Sequence, residues 1–173
     1  MFTNWTNVDV YGSDLNLDLS LGKLPWKSAS AKVVLSQHFI EHLELFDELL
    51  PILSEIYRIL KPEGYVWLSC PDMKKVCQSY MEDNGERLLA SIQGRHPSFN
   101  LGEGVPPQQV VNFLFHQNGE HKNLFDLELL TWALKEVGFK TIECTSEAEL
   151  LASEPHVDER KDDDISLYIR AQK

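Results

Sequence analysis

KVVLSQHFIEHLELFDELLPILSEIYRILKPEGYVWLSC, from Lys32 to Cys70, holds three readable pieces in a row. Lys32–Ser36 (KVVLS) is a short continuous apolar run, the pattern of a strand buried on both faces of a parallel sheet. Leu49, Leu53, Ile56 and Leu60 then recur at helical spacing, and Ile52 and Ile59 widen the stripe. Asp47 is the expected N-cap, and Pro51 has to sit near the first turn to be tolerated. Lys61-Pro62-Glu63-Gly64 ends the helix, and Tyr65–Cys70 (YVWLSC) is a second buried strand, closed by Pro71. A helix between two such strands points to an α/β domain with a parallel sheet.

Upstream, Trp5–Val10 (WTNVDV) reads as a short strand that runs into a Tyr11-Gly12-Ser13 turn. Leu15–Leu19 alternates apolar and polar residues, as a half-buried strand or extended segment does, and Gly22 to Ser30 is a loop. Downstream, Met73–Ile92 is helical with an interruption at Gly85, Pro97–Pro107 is a loop, and Gln108–Phe115 is a short helix. Phe125–Val137 is an amphipathic helix ended by Gly138. Phe139–Cys144 is a strand, Glu147–Asp164 an acidic loop with one helical turn whose Glu154–Asp164 stretch reads as solvated rather than as a partner contact, and Ile165–Ala171 a final alternating strand.

With 43% apolar and 25% charged residues in 173, the chain has the composition of one globular domain rather than of a disordered segment. Its net charge of −11, with no basic cluster to offset it, argues against nucleic acid as a partner. No apolar run is long enough for a membrane span, and MFTNWTNVDV lacks a charged-then-apolar leader. Cys70, Cys77 and Cys144 are odd in number and unpaired in spacing, which favours a reduced, cytoplasmic protein.

Several motifs offer chemistry. His38-Phe39-Ile40-Glu41-His42 is an HxxEH string, which on a helix would place two histidines around zinc with Glu41 as base. Here it directly follows a strand, and Pro51 disfavours one continuous helix, so the expectation is no metal and histidines that cap or pack. Asp14-x-Asn16-x-Asp18 begins like a calcium loop but has Leu19 where glycine is needed and Pro25 where glutamate is needed. Gly102-Glu103-Gly104 lacks the preceding strand and following helix of a phosphate-binding turn. His116, His121 and His156 are scattered, with surface or loop roles expected. Asp9, at the end of an early strand, is where nucleotide-binding sheets place the acid that accepts from ribose hydroxyls, although it could equally begin a turn.

Taken together, the strings NVDV (7–10), LDLSLGKLPW (17–26), VVLSQHFIEHL (33–43), EIYRILKPEGYVWLSCPD (55–72) and HKNLFDLELLTWALKEVGF (121–139) resemble the class I S-adenosylmethionine-dependent methyltransferases, in particular the type 11 group. The resemblance implies a Rossmann-like sheet, mostly parallel with an antiparallel C-terminal strand, in one domain over residues 1–173, with 73–118 as a helical lid. It implies S-adenosylmethionine as cofactor and a small-molecule or glycan-type acceptor. Asp9 matches the ribose acid, Asp18 and Leu19 the positions beside the adenine, and Ser36 and Gln37 the segment lining the methyl side of the cofactor. His38, in the same segment, is the candidate general base, suited by its near-neutral reference pKa.

Two departures accompany the resemblance. The glycine-rich turn that approaches the cofactor's methionine part would lie before Met1, so the family's first strand and helix are expected to be missing; Lys32 also stands where the family has Asp. Strands left without that neighbour would expose an edge, which either closes up or is covered by another chain, as in a homo-oligomer. An alternative reading is therefore a catalytically inactive, methyltransferase-like binding protein.

Overall fold

The computed structural model describes residues 5–173; residues 1–4, where the leader pattern was sought, lie outside the described residues. The element order is β1 (Val8–Asp9), β2 (Leu15–Asn16), β3 (Ala31–Gln37), α1 (Leu50–Ile59), β4 (Leu60–Pro71), α2 (Met73–Asp83), α3 (Glu86–Arg95), α4 (Gln109–His116), α5 (Leu127–Glu136), β5 (Thr141–Thr145), α6 (Glu147–Ser153) and β6 (Ser166–Gln172). Four strands form the main sheet in the order β3-β4-β6-β5. β3 and β4 are parallel, with Val34 opposite Val66 and Gln37 opposite Ser69. β6 is antiparallel to both β4 and β5, so three strands share one direction and the C-terminal strand opposes them. This is the expected mixed α/β sheet.

β4 is buried because each of its faces has a core. Val66, Leu68 and Cys70 alternate into the larger core with Leu53 of α1, Leu130 and Leu134 of α5 and Ile169 of β6. Trp67, between them, points the other way and packs with Tyr168 and Leu150 of α6. The tight approach of β3 to the start of β4 requires Gly64, where a Cβ would lie 3.0 Å from the Lys32 carbonyl oxygen. Residues 73–118 have a core of their own, in which Val76, Leu88, Ile92, Val110 and Leu114 pack together with Ile165. Phe99, Phe113 and Phe115 pack against that core, so these aromatic side chains are structural.

Several local expectations are corrected. Trp5–Val10 and Leu15–Leu19 contribute only two paired residues each, in a separate parallel ladder with Val8 opposite Leu15. Asp18 stops the second of these by capping the turn Leu19–Leu21. Lys32–Ser36, expected to be buried on both faces, has no fully buried residue, because β3 pairs only with β4 and is an edge of the sheet among the described residues. Asp47 caps nothing, because it lies inside a π-helical turn, Leu45–Leu49, that runs directly into α1. The interruption at Gly85 is real: Asn84 and Gly85 both adopt left-handed conformations between α2 and α3. Residues 147–164 are not one solvated loop, since α6 has a full capping box at Ser146 and Glu149, and Glu154 and Asp162 are buried while Asp158, Glu159, Asp163 and Asp164 are exposed.

Candidate functional site

In open α/β sheets, ligands bind beyond the carboxyl ends of the parallel strands, where loops diverge. Here that edge is formed by Ser36-Gln37-His38 after β3, Ser69 to Asp72 at the end of β4, and Ser166 at the start of the antiparallel β6, opposite Pro71. His38 continues the ladder by one bond, its N–H donating to the Ser69 carbonyl at 2.8 Å. Its φ then turns to +50°, a conformation a β-carbon disfavours, and the chain leaves the sheet. Strain of this kind is held in place by its surroundings and gathers at functional sites.

Those surroundings are three polar groups on one imidazole. His38 Nε2 lies 2.9 Å from Asp162 Oδ2 and 2.9 Å from Ser166 Oγ. Nδ1 faces Glu41 Oε1 at 3.3 Å. Burial alone would push the His38 pKa down, but the hydrogen bonds to Asp162 and Glu41 prevail and hold it above the ordinary value. Asp162 also accepts from the Tyr168 hydroxyl at 2.5 Å and from Arg160 Nε at 3.1 Å. Burial would raise its carboxyl, yet these donors hold it well below the usual carboxylate range. Burial and the Asp162 carboxylate together push the Tyr168 hydroxyl up.

The turn after His38 carries Ile40, Glu41 and His42, with Glu41 only 1% exposed. Backbone N–H groups of Lys122 and Asn123 donate to the Glu41 carbonyl, at 2.9 and 3.1 Å, and tie the 121–123 segment to this turn. That contact brings in His121. It lies in a loop as expected but is buried, with its ring edge-on to His42 at 4.9 Å between centroids. Burial is the main reason its pKa is lowered.

Four buried side-chain atoms at this edge have no hydrogen-bond partner among the described residues: Ser36 Oγ, Gln37 Nε2, Ser69 Oγ and Glu41 Oε2. Each such atom costs about 1–3 kcal/mol when left unsatisfied. Ser36 and Gln37, consecutive in β3, point to opposite faces of the sheet, Ser36 beside Leu68 and Gln37 beside Ser69. Asp18 is exposed and spends one oxygen on Ser20, whose hydroxyl and N–H hold its carboxyl below the ordinary value. Leu19 packs against the main core. Asp9 is exposed on the small ladder, and its hydrogen bonds stay within residues 10–17. Ser36, Gln37 and His38 are consecutive at the end of β3, whereas Asp9 lies on the separate two-stranded ladder.

A separate open cleft of about 520 Å³ is lined by Lys74, Asp126, Leu127, Thr131, Trp132 and Lys135, and contains none of these residues. Asp162, Ser166 and Tyr168, and the burial of His121 beside His42, are what sequence reasoning missed. The one available signal was the alternation of β6, which placed Tyr168 on the face opposite Leu167 and Ile169.

A family model described as "Methyltransferase domain" matches residues 8–68, about a third of the chain. No curated protein matches in sequence. Similar solved structures include a SAM-dependent methyltransferase from Thermotoga maritima, at 16% identity and TM-score 0.48, covering 88% of this chain and 61% of that one. An S-adenosylmethionine-dependent methyltransferase from Mesorhizobium loti is 18% identical, with TM-score 0.47 and coverage of 91% and 67%. One from Archaeoglobus fulgidus is 16% identical, with TM-score 0.44 and coverage of 84% and 61%. The chain spans about three fifths of the length of the Thermotoga and Archaeoglobus proteins.

Proposed function

We propose, from the premise that residues 8–68 belong to the methyltransferase domain family, that this chain binds S-adenosylmethionine at the carboxyl edge of its sheet and transfers the methyl group to a small-molecule or glycan-type acceptor. The observation that carries the reading is the pair of buried, unpartnered side chains Gln37 and Ser69, opposite one another at the ends of the parallel strands, with Ser36 on the other face. Ser36 and Gln37 would line the methyl side of the cofactor, Asp18 and Leu19 the adenine, and Asp9 would accept from the ribose hydroxyls. The helical unit 73–118 would cover the acceptor.

When bound, the cofactor supplies a sulfonium-activated methyl group, so alignment of the acceptor does most of the work. His38 is the group placed to receive an acceptor proton. Its Nε2 side is clamped by Asp162 and Ser166, so the longer Nδ1 contact to Glu41 is the one that must open. Replacing His38 by Asn should lower turnover by about 10²–10⁴-fold while cofactor affinity holds.

Titration calorimetry of the whole chain with S-adenosylmethionine and S-adenosylhomocysteine tests the reading. Micromolar binding, weakened at least tenfold by Asp9→Ala, is the expected result; a folded protein that binds neither overturns it. A second reading, a binding protein without catalysis, is favoured by one observation: both ring nitrogens of His38 already face carboxylates. It predicts cofactor binding or its absence with no turnover on any acceptor, and rate retained in His38→Asn would argue against His38 as base.

A further inference from the structure

We propose that Glu41, His42 and His121 form a binding site for one divalent transition-metal ion of the zinc type. One donor atom from each of the three lies within 4.8 Å of the donors of the other two. The hydrogen bonds around them settle which atoms are free. His121 Nδ1 is 2.6 Å from the Leu114 carbonyl oxygen, and His42 Nδ1 is 3.2 Å from that of Glu120. A carbonyl accepts only, so each Nδ1 carries the proton and each Nε2 keeps its lone pair. That is the arrangement in which metal-binding imidazoles are commonly held by a backbone group behind them.

Glu41 adds an independent observation. Its Oε1 faces His38, whereas Oε2 is buried and unpartnered. A carboxylate 1% exposed with one oxygen orphaned is an expensive arrangement unless a cation meets that oxygen. Two neutral imidazoles and one carboxylate suit a borderline cation such as zinc better than magnesium, which prefers oxygen ligands and several waters. Around a tetrahedral ion with bonds of 2.0–2.2 Å, donors sit roughly 3.3–3.6 Å apart, so the widest pair closes by at most about 1.5 Å, within reach of side-chain rotation.

The ligand set differs from the one the HxxEH string suggests. On one helix His38 and His42 would bind together with Glu41 as base; here His38 is engaged by Asp162 and Ser166, and the second imidazole comes from His121, on a distant segment. Three protein ligands leave at least one coordination position for water or an acceptor oxygen. The site does not depend on the methyltransferase reading, because none of its three ligands is assigned to the cofactor.

The test is a cobalt(II) titration of the chelator-stripped 173-residue chain, followed by the visible d–d absorption and then by displacement with zinc(II). One equivalent of saturable, micromolar binding is expected, with at least tenfold weaker binding in His42→Gln and in His121→Gln. His116→Gln, an exposed histidine at the end of α4, should bind like the wild type. Circular dichroism establishes folding; should the buried His121 variant fail to fold, the half-buried His42 variant carries the test. Absence of saturable binding, or full affinity retained in folded His42→Gln, overturns the proposal. So does a sulfur-to-cobalt charge-transfer band that persists in that variant, since it would place the ion on a cysteine. Because the readout needs no cofactor, acceptor or turnover, this site and the methyltransferase reading can fail separately.

Discussion

Asp9, Asp14 and Asp18, in one acidic segment, are all exposed, whereas Glu147, Glu154 and Asp162, in another, are between 2% and 8% exposed. The first group hydrogen-bonds to its own neighbourhood: Asp14 accepts from the Asn7 N–H, Asp9 from Val10 and Asp18 from Ser20. The second is held by donors brought from elsewhere. Glu147 accepts from the backbone N–H groups of Arg160 and Lys161, Glu154 from the Tyr65 hydroxyl, and Asp162 from His38. Carboxylates of the same type thus do different work. Those satisfied locally keep an oxygen facing water and available to a ligand; those satisfied at long range are already consumed in holding the site together.

The largest effect that would test this contrast is on stability. Asp162→Ala removes the partner of His38, Tyr168 and Arg160 at once, and a broken buried ion pair costs about 3–5 kcal/mol. Urea denaturation should show a loss of that size, and a loss near zero would erase the distinction between the two segments. Glu147→Gln turns an amide toward two backbone N–H groups, and should cost about 1–3 kcal/mol by the same measurement.

Acidification offers a finer version. The folded Asp162 carboxyl is held below its ordinary value, so it contributes stability that is complete above the ordinary carboxylate range, about pH 4, and is lost as pH falls through the folded value. Stability measured from pH 5 downward, pH values chosen to span about one unit either side of that range, should therefore fall less steeply in Asp162→Asn than in the wild type. The smallest effect belongs to Asp9→Ala, which should leave stability within about 0.5 kcal/mol while it weakens cofactor binding. A destabilised Asp9→Ala would show that the exposed segment is structural after all.

Much of the fold was legible because it rests on short-range pattern. The apolar runs of β3 and β4, the stripe of α1 with Pro51 in its first turn, the Asp126-capped α5 and the alternation of β6 all appear where periodicity places them. The candidate site was legible only where it coincides with a strand end, at Ser36, Gln37 and His38. Asp162 was hidden because a run of acids reads as a solvated face, and nothing adjacent to it announces the Tyr168 hydroxyl or the His38 ring. His121 was hidden for a related reason: its partner turn lies about eighty residues earlier, joined through hydrogen bonds from Lys122 and Asn123 to Glu41.

The amino-acid sequence by itself determined the α/β class, the strand–helix–strand unit and the strand end at which polar side chains collect, because hydrophobic periodicity and turn residues act over a few positions. Tertiary structure alone decided that Trp5–Asn16 forms a ladder apart from the main sheet, that Glu41 is buried between His38 and the His42–His121 pair, and that Asp162 is a buried anchor. Those outcomes depend on which distant donors and apolar faces meet. Burial, and with it the lowered Asp162 carboxyl and the raised His38 imidazole, follows from that meeting and not from local composition.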